Sequence, residues 1–284
     1  MMTVINFSLV PEANALDQWD CGMVVDMLNT LGATYTTEIT ALERAVVLLP
    51  ARHHKGLEGA VNEAIAKIDR VVLILLGDEE ADFDVEQISH PNIDIWVQNP
   101  HPDKHDKYNR LGTGYPKHLK DNLPTDYLEK HLDVFFSGQV THKRRRLLLD
   151  SLLLAEKQSW IVNPTKGFTQ GFVPTDYYWQ LKQAKVAPCP SGAVVPDSFR
   201  AFEALECFAV PLLDDVNPSG SINGGYWDWL LGENPLPKYK EPAEVPEKIN
   251  EILADWDNIS QQCIAWYIRY KDDIKGRIYE QYNR

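Results

Sequence analysis

Two apolar runs, Arg44–Leu49 and Arg70–Leu76, stand out in the first half of the chain. Neither alternates apolar with polar residues, so each predicts a strand covered on both faces. Pro50 closes the first run, and Gly77-Asp78-Glu79-Glu80 ends the second. Between them, Lys55–Ile68 has Ala and Ile at helical spacing. Thr3–Val10 reads as a β-rich opening and Ile93–Val97 as a short strand. Ala15–Leu31 has helical spacing and stops at Gly32, a residue suited to a helix end.

The stretch Gln98–Pro124 is rich in Pro, Gly, His and Lys and shows no clear period, which predicts long loops. The alternation then restarts. Strands are predicted at Asp133–Ser137, Ser159–Asn163, Lys185–Cys189 and Ala209–Leu213. Helices are predicted at Lys143–Lys157, Thr175–Ala184 and Asp197–Cys207. The tail Glu244–Arg284 is helical and aromatic-rich. Apolar strands alternating with helices predict parallel sheets covered by helices. Two such arrays joined near residue 130 predict an α/β chain of two facing doubly wound, Rossmann-like domains, with no internal repeat between them. Ligands of such sheets bind beyond the carboxyl ends of the strands, so chemistry is sought just after each strand.

Composition narrows the class. The chain has 284 residues, 44% hydrophobic and 24% charged, as ordinary globular proteins do. Its longest apolar run, Val71–Leu76, is far short of the roughly 20 residues a membrane span needs. The opening MMTVINFSLVPEAN lacks the basic start and long apolar stretch of a secretory signal. The four Cys (21, 189, 207, 263) form no CxxC pair. A cytoplasmic, reducing location is the expectation. The net charge is −13, a poor match to general nucleic-acid binding. Two local basic stretches remain: His101–Lys120, with five Lys/Arg, three His and two Asp, and Lys143–Arg146, which reads KRRR. Each reads either as a solvated face or as an anion contact.

The richest chemistry lies between 177 and 215. The strand KVAPC leads into Pro190-Ser191-Gly192, a turn that lets backbone approach a ligand closely. Asp197 reads as the N-cap of a helix that starts with Ser198 and carries Arg200 and Glu203. A helix start favours an anion, and Arg200 offers a fork-shaped donor for phosphate. Glu203, one turn on, can accept both hydroxyls of a ribose. The other reading is an amphipathic helix with an Arg200–Glu203 pair.

The words LKQAKVAPCPSG and DSFRAFEALECFAVPLL, with DVFFSGQVTHKRRRLLL upstream, resemble the nucleotide-binding half of exostosin-like GT-B glycosyltransferases. The resemblance covers roughly Asp133–Asp215. It implies that Gly138 and the loop after it, with His142, Arg144 and Arg145, face the donor diphosphate. It further implies that Ser191, Gly192, Ser198, Arg200 and Glu203 complete the nucleotide-sugar site. The chain departs from the family in two places. Cys207-Phe208 stands where the family has Gly. Val195 stands eight residues before Glu203, where many retaining enzymes have an acid, which favours inversion. The family arrangement implies an acceptor-side domain over 1–130, a nucleotide-sugar domain over 131–257, and a last helix, 258–284, packing back on the first domain.

An inverting transfer needs one general base. Glu79 and Asp20 are the first candidates, with Asp17, Asp78, Glu80, His53 and His54 behind them. The His and carboxylates between 53 and 106, including His101/His105, are a weak metal pattern, so no metal site is assigned. Ser191-Gly192 lacks the GxSxG elbow of a hydrolase and no His follows it. Asn217–Trp229, Gly-rich and aromatic, reads either as a closing loop or, at Trp227 and Trp229, as core. Trp266 and Tyr270 read as anchors. The reading is an inverting, metal-independent glycosyltransferase with a UDP-sugar as co-substrate and no further cofactor. Its acceptor is a glycan, a small molecule or, as in phage enzymes, a hydroxylated DNA base. The rivals are a non-catalytic nucleotide-sugar binding protein and a GT-B epimerase.

Overall fold

The computed structural model describes residues 2–10, 13–126, 128–155, 157–167 and 170–284. It is an α/β protein with two sheets, of six and five strands, all paired in parallel. The residues cluster into two compact units, Met1–Lys117 with Arg269–Arg284, and His118–Ile268.

The first unit contains β1 (Met2–Asn6), α1 (Gly22–Thr30), β2 (Ala33–Thr36), β3 (Leu42–Pro50), α2 (Glu58–Ile65), β4 (Ile68–Leu76), β5 (Ile93–Gln98), α3 (Pro102–His105) and β6 (Asn109–Leu111). Its sheet order is β2-β1-β3-β4-β5-β6. The two central strands are the two apolar runs. Residues 45–50 and 71–76 are all buried, and Val46 pairs with Val72. Their side chains point alternately to both faces, so both faces must be apolar.

Four elements differ from the reading of the sequence. The helix expected over Ala15–Leu31 is two short 3-10 turns, at Ala15–Asp17 and Trp19–Cys21, followed by α1. Asn14 caps the first turn by accepting from the Leu16 N–H at 2.9 Å. The helix expected to reach Ile68 ends at Ile65, because Ile68 is already paired with Leu42 in the sheet. The short strands β2 and β6 lie at the sheet edges, and β2 is half-buried to exposed, so neither leaves an apolar run in the sequence.

The second unit contains α4 (Leu119–Asn122), β7 (Leu132–Gln139), α5 (Lys143–Leu154), β8 (Trp160–Thr165), α6 (Pro174–Gln183), β9 (Ala184–Cys189), α7 (Phe199–Glu206), β10 (Val210–Asp214), α8 (Tyr226–Leu231), β11 (Lys238–Tyr239) and α9 (Val245–Ala254). Of the helix expected over 143–157, α5 covers 143–154, and Glu156 lies outside the described residues. The sheet order is β11-β10-β9-β7-β8. The chain steps from β7 to β8, then recrosses to β9 and continues outward. The order therefore reverses between β7 and β9, which is where a doubly wound sheet opens a crevice at its carboxyl edge. In the first unit the same reversal lies between β1 and β3.

The last helix, α10 (Trp256–Asn283), is divided between the units. Its residues up to 268 cluster with the second and the rest with the first. Among the described residues no helix is long and apolar enough to cross a membrane.

Candidate nucleotide site

The second unit gathers most of the residues singled out above at the carboxyl edge of β7 and β9. The loop after β7 delivers His142 as the N-cap of α5, with extended backbone (φ −148°, ψ 169°). Its Nδ1 accepts from the Arg145 N–H at 3.4 Å, and its Nε2 lies 3.3 Å from the Ser191 carbonyl. These contacts require a neutral ring with the proton on Nε2. Burial, then the neighbouring Arg145 charge, holds its pKa below the usual histidine value.

Arg145 joins the two loops at the reversal point. Its Nε and Nη2 donate to the Ser191 carbonyl at 3.0 and 2.8 Å, and its Nη1 to the Gln139 carbonyl at 3.1 Å. Arg144 turns elsewhere. It forks onto both oxygens of Asp214, Nη2 to Oδ1 at 2.6 Å and Nε to Oδ2 at 3.3 Å, and also donates to the Lys240 carbonyl at 2.6 Å. Asp214 is almost fully buried and accepts from the Val216 N–H at 3.2 Å. Burial pushes its carboxyl up while Arg144 pulls it down. Of KRRR, Lys143 and Arg146 are exposed.

The loop after β9 is close-packed. A Cβ at Gly192 would lie 2.5 Å from the Asp197 carbonyl oxygen. The Ser191 hydroxyl is buried and has no hydrogen-bond partner. Ser198 precedes α7 in extended conformation, and its side chain makes no cap. Its hydroxyl donates instead to the Pro190 carbonyl at 3.4 Å. Two helices, α5 and α7, thus start at this edge, and α7 starts without a side-chain cap. Uncapped N–H groups at a helix start bind anions.

Arg200 and Glu203 are both present here, but among the described residues they form no ion pair with each other. Arg200 donates through Nη2 to the Ser137 carbonyl, and its guanidinium lies 5.0 Å from the Phe136 ring centroid. A Cβ at Gly138 would come within 2.5 Å of the same nitrogen, so glycine makes room for the arginine. Glu203 is 8% exposed. Its Oε2 accepts from the Tyr177 hydroxyl at 3.0 Å and its Oε1 from Tyr178 at 2.9 Å. Burial raises its pKa, and Arg200 and the two hydroxyls oppose the rise. Both oxygens expected to face a ribose therefore already hold a tyrosine. Tyr177, Tyr178 and Asp214 were not singled out in the sequence. The doublets YY and DD beside a helix start and a strand end were the available signals.

In the first unit, the base candidates follow the strands. Asp20 is buried and paired with Arg52 through Oδ2, while its Oδ1 has no partner. Burial raises its carboxyl pKa against the pull of Arg52. Asp78 anchors its own loop by accepting from the Asp82 and Phe83 N–H groups, both at 3.0 Å. Glu79 lies half-buried on the turn after β4. His54 is buried, with Nδ1 2.9 Å from the Pro50 carbonyl and Nε2 accepting from the Leu9 N–H at 2.9 Å. Both ring nitrogens are occupied, so its part is to fix the loop.

The basic stretch 101–120 is locally neutralised. Lys107 pairs with Glu86, Arg110 with Asp106, Lys117 with Asp17 and Lys120 with Glu206. Lys104 donates to the Ala81 carbonyl at 2.6 Å. His105 is buried beneath the stretch, its Nδ1 accepting from the His101 N–H at 2.9 Å. No group of three or more His, Cys, Asp or Glu among the described residues is arranged to hold a metal ion. Trp227 is fully buried and donates to the Asp214 carbonyl at 2.9 Å. Asp215 ties down the Gly-rich loop through the Gly225 N–H at 2.6 Å. No family model matches the chain, and no curated protein matches it.

Proposed function

We propose that the chain is a GT-B glycosyltransferase, exostosin-like in its second unit, that moves a sugar from a nucleotide donor to an acceptor hydroxyl with inversion. The observation that carries this reading is the convergence at the β7/β9 reversal point of two helix starts, the Arg145 clasp and the Ser191-Gly192 turn. The diphosphate is assigned to the backbone at the start of α5, whose loop His142 and Arg145 hold in place, and to Ser191 and the open start of α7. Arg144 is assigned to Asp214 instead. UDP is the donor nucleotide the resemblance implies.

In the reaction the acceptor oxygen attacks the anomeric carbon from the face opposite the diphosphate. The carbon–oxygen bond to the diphosphate breaks and its electron pair leaves with the nucleotide. Fixed donors stabilise that developing charge best when they are already oriented. Helix starts beside loops that Arg145 clasps together have that property without a metal. The acceptor proton passes to a base. Glu79 is preferred to Asp20, because Asp20 is buried against Arg52. The neutralised stretch 101–120 favours a glycan or small-molecule acceptor over DNA, whose binding needs free cations.

The test is thermal unfolding with UDP, GDP, ADP, CMP and their sugars, with and without EDTA. A ligand at 100 times its Kd stabilises the folded chain by about 2.7 kcal/mol. A selective shift with one nucleotide diphosphate, unchanged by EDTA, is the expected result. Absence of a shift with every nucleotide would remove the basis of the reading.

A further inference from the structure

Helix α1 uses two of its faces. Met23, Val24, Met27 and Leu28 are buried in the core. Gly22, Val25, Asp26 and Asn29, three and four residues apart, share another face. A cavity of about 270 Å³ is lined by that face, by Tyr35 of the edge strand β2, by Leu16 and Cys21, and by Asp17 and Lys117. All of these residues belong to the first unit. Small-ligand cavities usually run from about 300 to 1,000 Å³, so this one suits a single ring rather than a chain of them. Its polar walls are held in place. The Tyr115 hydroxyl donates to Asp26 Oδ2 at 2.6 Å, the Tyr35 hydroxyl to Asn29 Oδ1 at 2.9 Å and the Lys117 N–H to the Trp19 carbonyl at 2.9 Å. The Lys117 ammonium donates to Asp17 Oδ1 at 3.3 Å. Those bonds leave capacity unused. Among the described residues, Asp26 Oδ1 and the Asn29 amide hydrogens have no partner, and Lys117 spends one of its three donors.

We infer that this cavity is a binding site for a single neutral sugar ring. A pyranose carries hydroxyls around its rim, each able to donate and to accept, and C–H groups on its two faces. The rim matches a lining of mixed sign, in which Asp17 and Asp26 accept while Asn29 and Lys117 donate. The C–H faces match Leu16, Cys21, Val25 and the Tyr35 ring. Two carboxylates against one ammonium leave the lining with surplus negative charge, which repels an acid or a phosphate. The site is therefore distinct in its chemistry from the β7/β9 edge. Neither Glu79 nor Asp20 lines it. Calling the sugar part of the acceptor rests on the glycosyltransferase reading. The binding itself does not, because every lining residue lies in the first unit.

The test titrates the full chain with glucose, galactose, N-acetylglucosamine and glucuronate by ligand-observed NMR, and separately with UDP. At least one neutral sugar should bind with a Kd on the order of 1 mM, and glucuronate at least about fivefold more weakly than glucose. Asn29→Ala removes one donor and should weaken the bound sugar about fivefold. Val25→Phe fills the cavity without touching a hydrogen bond and should weaken it more than about tenfold. Both variants should melt close to wild type, because Asn29 is exposed and Val25 half-buried. Failure of every sugar to bind overturns the inference and leaves a gap filled by solvent. A Val25→Phe chain that melts like wild type and binds the sugar equally well also overturns it, since the sugar then sits elsewhere. Wild type that binds UDP but no sugar overturns this inference alone. Wild type whose sugar binding falls in both variants, but which binds no nucleotide, upholds the site and overturns the glycosyltransferase reading.

Discussion

His105 shows how one buried side chain sets a pH limit. It is 2% exposed, and its Nδ1 must be bare to accept from the His101 N–H. Burial, reinforced by His101 and Lys104, lowers its pKa from the ordinary 6.5 to about 4. The unfolded chain therefore takes up this proton first as pH falls. Stability is complete above about pH 6.5 and is lost on the way down to about 4. Urea unfolding at pH 7 and pH 4.5 should show wild type losing about 2–3 kcal/mol more than His105→Asn across that interval. Equal losses would show that the ring is protonated in the folded state. Glu203 makes the complementary point, since its neighbours oppose the effect of its burial. His54 and Asp78 looked like chemistry in the sequence because of their residue type and position after a strand. Both turn out to spend their polar atoms on their own loops.

Elements meet through side chains whose partners are far off in sequence. Arg144 ties α5 to the end of β10 through Asp214. The pair is well shielded, at 14% and 1% side-chain exposure. Truncating one partner of such a pair leaves an uncompensated buried charge and costs roughly 3–5 kcal/mol. Arg144→Ala should therefore lower the unfolding free energy of the second unit by that amount. Arg146→Ala, two residues along the same helix but exposed, should change it by no more than about 0.5 kcal/mol. Denaturant curves of the two variants decide it, and similar losses would mean that the Arg144–Asp214 fork contributes nothing special. KRRR thus holds one structural arginine, one loop clasp and two surface cations, a division that no spacing rule distinguishes.

At the scale of the whole molecule, the two units repeat one scheme, a parallel sheet whose order reverses between its first and third strands. They also share α10, whose last residues belong to the first unit. There Gln281 accepts from the Trp96 indole N–H at 2.7 Å and from Arg70 at 2.9 Å, and the Tyr282 hydroxyl accepts from the Thr3 N–H at 3.1 Å. Ile274 and Ile278 are buried, each contributing about 1.5–3 kcal/mol. A chain truncated after Ile268 should lose roughly 3–6 kcal/mol from the first unit on that apolar term alone. Calorimetry should show its transition lowered, and an unchanged profile would mean that the C-terminal turns contribute little to that unit.

The sequence by itself determined the α/β class, the two parallel sheets and the order of nearly all the longer elements. The reason is that β3 and β4 bury both faces and so carry unbroken apolar runs, while helices carry a period of their own. It also placed Gly138 near the end of one strand and Ser191-Gly192 just after another, at the edge where β7 and β9 stop. Tertiary structure alone decided what the charged residues do. Edge strands β2 and β6 were invisible because half-exposed strands need no apolar run. The fate of Arg144, Arg145, Arg200 and Glu203 depended on Asp214, on the Ser191 and Ser137 carbonyls, and on Tyr177 and Tyr178, partners up to 70 residues away. Charge and polarity are written in a residue's identity, but which group satisfies them is fixed only when the chain has folded.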